Sequence, residues 1–138
     1  MIFVTRREIF SSSHRIYNPD FSDSENERVF GKCNNPNGHG HNYTLEVTVA
    51  GEVDSKTGYV IDLKLLKEII IENVIQKVDH KNLNLDVDFL KGKIPTSENI
   101  CVGIWNQLIG KIPSGKLYSI KLYETENNYV EYKGKEQL

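Results

Sequence analysis

A thiol, two imidazoles and two glycines fall within residues 33–43, in the stretch Cys33-Asn34-Asn35-Pro36-Asn37-Gly38-His39-Gly40-His41-Asn42-Tyr43. From His41 onward Tyr43, Leu45, Val47 and Val49 alternate with Thr44, Glu46 and Thr48, which is the period of a half-buried strand. With that strand starting at about Gly38, His39 and His41 are i and i+2 on it, so their rings leave one face and can reach one metal ion. Neutral imidazole nitrogens suit zinc, and a catalytic zinc takes about three protein ligands with one position open. A third ligand is wanted, and the remaining histidines are His14 and His80. Gly38 and Gly40 flank the pair and remove side-chain bulk where something must approach the backbone closely.

Other groups add to this chemistry. Asp79 beside His80, at a helix end, could orient and charge the ring as part of a proton relay. Glu124 ends an apolar-leaning strand face, where a carboxylate either reaches solvent or receives a pair of N–H donors from a bound heterocycle. Cys33 lies in a loop beside the histidines, and Cys101 falls on the apolar face of a helix as a small core residue. Both read as free thiols, consistent with a reducing compartment.

These groups need elements to position them. Residues 2–14 read as a first strand ending in His14, with Arg6, Arg7 and Glu8 interrupting the alternation, which leaves room for a bulge and leaves the inward face open. Residues 15–38 have no sustained period and form a long loop, read as an ordered cover with a short helical turn near Ser22 to Phe30. The second strand runs from about His39 to Val53. Asp62 then caps a helix whose apolar positions Leu63, Leu66, Ile70, Val74 and Val78 recur at spacings of three and four. Thr96 or Ser97 caps a second helix that stops near Gly110, and strands from about Leu117 to Glu124 and Tyr129 to Gly134 form a closing hairpin.

At 138 residues the chain reads as a single domain over 1–138 with a core of its own, and a formal net charge of −2 leaves no global basic field for nucleic acid or an anionic membrane. The apolar runs are too short to cross a bilayer, and the N-terminal residues lack the order of a signal peptide, so a cytoplasmic location is expected.

The order strand, long loop, strand, two helices, hairpin carries Phe10-Ser11-Ser12-Ser13-His14-Arg15, then Cys33, His39-Gly40-His41-Asn42, Asp79-His80, Pro95-Thr96-Ser97-Glu98-Asn99 and Tyr123-Glu124-Thr125. Taken together these motifs closely resemble the 6-pyruvoyltetrahydropterin synthase family over nearly the whole chain. The resemblance implies an α+β tunnelling fold: a four-stranded antiparallel sheet with two helices between strands two and three. It implies that sheets join into a barrel, and that two trimers make a homohexamer with active sites at subunit interfaces. It also implies that His14, His39 and His41 bind zinc, that Cys33, Asp79 and His80 transfer protons, and that Glu124, Thr96 and Ser97 hold the pterin ring. The expected reaction is that of a carbon–oxygen lyase, converting 7,8-dihydroneopterin triphosphate to 6-pyruvoyltetrahydropterin with loss of triphosphate, in tetrahydrobiopterin biosynthesis. Arg15, with Arg6 or Arg7, is a candidate contact for the triphosphate, and the family also suggests magnesium.

Two other readings compete. A 6-carboxytetrahydropterin synthase of queuosine biosynthesis shares the fold, but such enzymes usually place fewer residues between the cysteine and the first histidine than the five found here. A non-catalytic zinc- or pterin-binding module would close a structural zinc with about four protein ligands, and only three can be named.

Overall fold

The computed structural model describes residues 1–135; positions 136–138 of the expected domain lie outside them. Strands β1 (Ile2–His14) and β2 (His39–Gly51) are joined through α1 (Asp23–Phe30) and a 3-10 turn (Gly31–Asn34). Next come α2 (Leu63–Ile70), a π-helical turn (Ile71–Ile75), α3 (Gln76–Val78), the short β3 (Lys81–Asn82) and α4 (Ser97–Leu108). The hairpin β4 (Lys116–Thr125) and β5 (Asn128–Tyr132) follows. The strand order is β3-β1-β2-β4-β5, antiparallel except where β3 lies parallel to β1.

The helices start where caps stand, at the expected Asp62 and Thr96 and also at Ser22. Ser22, Asp62 and Thr96 accept the free amide hydrogens of Glu25, Lys64 and Asn99 at 3.2, 2.9 and 3.2 Å. Thr96, not Ser97, is therefore the cap of α4. Leu66, Ile70, Val74 and Val78 are all fully buried although each is four residues from the last. On an α-helix that spacing drifts about 40° per step around the axis. The wider π turn at Ile71–Ile75 takes up this drift and keeps one apolar face on the sheet.

That face meets Phe10, Tyr43, Leu45, Val47, Val49, Ile120 and Leu122, which together with Ile100, Cys101, Ile104 and Leu108 of α4 form one buried cluster. On the opposite sheet face Thr5 hydrogen-bonds Thr48, Arg7 pairs with Glu46 and Ser11 donates to Asn42, while Phe3 and Ile9 of the same parity stand 52% and 63% exposed.

One open point is settled and two expectations change. The bulge left open at Arg6-Arg7-Glu8 does not form, because β1 pairs with β2 in unbroken register from Ile2 opposite Gly51 to His14 opposite His39. The charges fit a regular strand: Arg6 pairs with Glu8 at 2.8 Å on one face, and Arg7 with its directly opposed Glu46 at 2.6 Å on the other. Among the described residues the sheet has five strands rather than four, since Lys81–Asn82 adds to the edge of β1. Two residues carry no periodicity, and tertiary contact alone pairs them. Finally, β2 and β5 stop at Gly51 and Tyr132, short of Val53 and Gly134. Gly51 packs where a Cβ would lie 2.9 Å from Val60, and Gly134 where it would lie 2.9 Å from Trp105, so both glycines turn the chain off the sheet against a neighbour. Among the described residues no helix is long and apolar enough to cross a membrane.

Phe10 is 1% exposed and stacks on Tyr43 with ring centroids 4.9 Å apart, directly beneath the histidine end of the sheet. Phe10→Ala is expected to lower stability by about 3–5 kcal/mol, to be read from urea denaturation.

Candidate functional site

The β1–β2 register builds the site. His14 stands opposite His39, Ser12 opposite His41 and Phe10 opposite Tyr43, so all three imidazoles leave the helix-covered face at one end of the sheet. Each offers one nitrogen, and the three lie within 4.8 Å of one another. Gly38 makes the return possible: its φ is +76°, and a Cβ there would lie 2.9 Å from the His14 carbonyl oxygen. Gly40 is under no such demand from the fold, since a Cβ would meet only the Ser12 carbonyl at 3.5 Å.

The hydrogen bonds fix how the rings face. His14 Nδ1 lies 2.9 Å from the Pro95 carbonyl, which can only accept, so Nδ1 carries the proton and Nε2 presents its lone pair. That lone pair points at His39 Nε2, 3.1 Å away. His41 Nε2 and His39 Nδ1 are buried without a hydrogen-bond partner among the described residues. An orphaned buried nitrogen costs about 1–3 kcal/mol, which a cation at the centre of the trio would offset for His41. A ligand histidine whose second nitrogen donates to a backbone carbonyl is the usual outer-shell arrangement of a metal site. The residues present therefore fit a metal ion. Burial is the main cause holding His14 and His41 below the ordinary histidine value of 6.5, while the Pro95 carbonyl opposes it at His14 and Glu124 opposes it at His41.

Glu124 reaches the same place from β4. It is the extra residue of a bulge, since Tyr123 pairs with Tyr129 and Thr125 with Asn128, and the bulge aims its carboxylate toward the trio. Oε1 lies 3.6 Å from His41 Nε2, and Oε2 accepts a hydrogen bond from the Ser97 hydroxyl at 2.9 Å. Thr96 is spent on capping α4. His41 and Glu124 open onto a groove of about 660 Å³ that Tyr123 and Asn42 also line.

The other expected residues lie along β1 and on turns hydrogen-bonded to it or to the residues that follow it. Cys33 is exposed on its 3-10 turn, and its carbonyl accepts from Ile16 N, two residues past His14. Cys101 is buried and also unpaired. Asp79 and His80 bracket the peptide of Ser11: Asp79 Oδ1 accepts Ser11 N at 2.9 Å and His80 N donates to Ser11 O at 2.6 Å. The bracket needs His80 at φ 59°, a left-handed conformation. The Ser11 amide, then His80, hold the Asp79 carboxyl below its ordinary range. Asp79 Oδ2 lies 3.0 Å from His80 Nδ1, which leaves Nε2 free on a ring whose side chain is 82% exposed. Arg15 directs its guanidinium to Asn34; Arg6 and Arg7 are in the ion pairs described above.

Two contributors were not read from the sequence. The Pro95 carbonyl is a main-chain group with no side-chain signature. Tyr43 shares the parity of His39 and His41, and its hydroxyl lies 3.4 Å from His14 Nδ1; burial pushes its phenol well up, so it stays protonated.

The lowered histidine values set a pH dependence. Between the folded values and 6.5 the unfolded chain binds protons that the folded chain refuses, so stability of the metal-free protein is present above 6.5 and is lost as pH falls below it. The thermal midpoint of metal-stripped protein should fall between pH 7.5 and 5.5, and His14→Gln should flatten that slope.

Residues 3–135 match the family described as 6-pyruvoyl tetrahydropterin synthase. The chain is 53% identical over 131 residues to the 6-pyruvoyl tetrahydrobiopterin synthase of Homo sapiens, covering 95% of this chain and 90% of that one. It is 50% identical over 135 residues to the protein of the same name from Dictyostelium discoideum, covering 96% of each. The solved structure of the Caenorhabditis elegans 6-pyruvoyl tetrahydropterin synthase is similar to it with a TM-score of 0.91 at 41% identity, over 97% of this chain and 96% of that one. Likeness that runs from the first strand to the last, in sequence and in fold, makes this chain a member of the 6-pyruvoyl tetrahydropterin synthase family.

Proposed function

We propose that the chain converts 7,8-dihydroneopterin triphosphate to 6-pyruvoyltetrahydropterin, a carbon–oxygen lyase reaction that eliminates triphosphate and redistributes hydrogen within the pterin, as a step of tetrahydrobiopterin synthesis. The observation that carries this reading is the trio of imidazole nitrogens within 4.8 Å of one another, with the Glu124 carboxylate 3.6 Å from His41. The trio gathers metal ligands, and Glu124 offers an acceptor for the paired N–H groups at the edge of a pterin ring.

His14, His39 and His41 are the residues that would hold zinc. When bound, zinc supplies a Lewis acid for the substrate's side-chain hydroxyls. Glu124 orients the ring by accepting its N–H donors, with the Ser97 hydroxyl bracing Oε2 and Thr96 holding the start of α4 beneath it. The Cys33 thiolate takes a C–H proton from the side chain, and triphosphate departs with the electrons of the broken C–O bond. His80, its Nδ1 turned to Asp79, relays protons through Nε2. Magnesium accompanies the triphosphate.

The bare sheet face and the exposed edge at Tyr129 support assembly through the sheets into a homohexamer of two trimers. The exposure of the His80 side chain supports a site completed across a subunit boundary. The free thiols support a cytoplasmic location.

Purified protein given 7,8-dihydroneopterin triphosphate should release triphosphate, lose that activity on chelation and recover it with zinc, with a pyruvoyl product by mass. Loss of carbon from the side chain would instead make it a 6-carboxytetrahydropterin synthase, and pterin binding without release a binding module. Cys33→Ala should keep metal and ligand while kcat falls by about 10²–10⁴-fold. Glu124→Gln should weaken pterin binding about tenfold or more, since a bond to a charged acceptor contributes about 1.5–3 kcal/mol; isothermal titration with a pterin analogue checks this.

A further inference from the structure

The proposed chemistry requires Cys33 to keep its place relative to His14, yet Cys33 sits on an exposed turn outside the sheet. Exposed turns open most readily, so a thiol there needs something to hold it. Three hydrogen bonds tie the turn to the residues that follow His14. Ile16 N donates to Cys33 O at 2.8 Å. The Arg15 guanidinium forks onto Asn34, with Nε donating to the main-chain carbonyl and Nη2 to Oδ1, each at 2.9 Å. The same guanidinium lies over the Tyr17 ring, 4.0 Å from its centroid.

Arg15 is itself gripped from the other side. Its N–H donates to Asn84 Oδ1 at 2.7 Å and its carbonyl accepts from Asn84 Nδ2 at 2.9 Å, so one amide side chain closes on both polar groups of the Arg15 main chain. Asn84 belongs to the turn just after β3, and its own N–H donates to Asn82 Oδ1 at 2.9 Å. Asn82 is paired with Ser13 through β3. The chain of contacts thus runs from the edge of the sheet, through Asn84 and Arg15, to the turn that carries the thiol.

The acceptors on Asn34 are neutral, so this contact uses the shape of the guanidinium more than its charge. Two donors in a rigid plane meet two acceptors of one residue, a match that an ammonium cannot make. We infer that Arg15 is a positioning residue: held through its peptide by Asn84, it clamps the Cys33 turn to the end of β1 and keeps the thiol in register with the histidine trio, rather than binding the substrate's phosphates. The inference rests on the proposed reaction, and it gives Asn34 and Asn84 their roles.

Arg15→Lys keeps the charge and removes the fork, which separates the two roles. Misplacing a reacting group by about 1 Å can cost about 10²-fold in rate. For a positioning role, kcat should fall by about 10- to 100-fold, KM and inhibition by inorganic triphosphate should stay within about twofold of the parent, and amide exchange at Ile16 should quicken. Asn34→Ala removes one of the two acceptors without touching Arg15, so it should give a smaller loss of kcat. Combined with Arg15→Lys it should add little, because both act on one contact. Arg15→Ala with raised KM and lost triphosphate inhibition, both restored in Arg15→Lys, would make Arg15 a phosphate contact and overturn the inference, as would an unchanged kcat in Arg15→Lys. A parent protein that releases no triphosphate would instead sink the proposed reaction itself.

Discussion

The register of β1 against β2 is the constraint on which the rest depends. With His14 opposite His39 and Ser12 opposite His41, three imidazoles share one face at one end of the sheet. A slip of one residue would turn His14 to the other face while the β2 pair stayed, and no trio would form. That register is held by the burial of Phe10, Tyr43, Leu45, Val47 and Val49 beneath the helices. On the open face the opposed Arg7 and Glu46 specify it a second time. The core and the site are thus specified by the same pairing, and the histidines are its polar end.

Around this centre the remaining groups arrive by less regular routes. Glu124 is delivered by a bulge, His80 by a left-handed turn, and Cys33 by a short 3-10 turn after a long excursion. Each irregular element is fastened by polar contacts to β1 or to its neighbours. Ser11 takes Asp79 and His80, Arg15 and Ile16 take the Cys33 turn, and Ser97 takes Glu124. These groups of the candidate site therefore sit where regular structure ends, on loops and turns braced against the sheet.

The same division explains the two faces of the sheet. One is covered by α2 and α4 and is apolar, while the other carries paired hydroxyls, the Arg7–Glu46 ion pair and the exposed Phe3 and Ile9, with no cover among the described residues. Antiparallel strands tolerate this, because alternate side chains serve different surroundings.

The long elements were legible in the sequence because their signals are local. Alternation from Tyr43 to Val49 marked β2, the caps at Asp62 and at Thr96 or Ser97 marked helix starts, and the spacing of His39 and His41 placed both rings on one face. The choice of His14 over His80 as third ligand came with the family resemblance, since local sequence left both open. What only the tertiary structure decided are the features that no local period encodes. These are the two-residue β3, the π turn that keeps four-residue spacing on one face, the Pro95 carbonyl that sets the His14 tautomer, and the Asn84–Arg15–Asn34 contacts. Whether β1 bulges was open for the same reason: Arg6, Arg7 and Glu8 look disruptive in one dimension, and become a regular strand once Glu46 stands opposite Arg7. Periodicity is a property of a segment, whereas hydrogen-bond partners and tautomers belong to pairs of segments that meet only when the chain has folded.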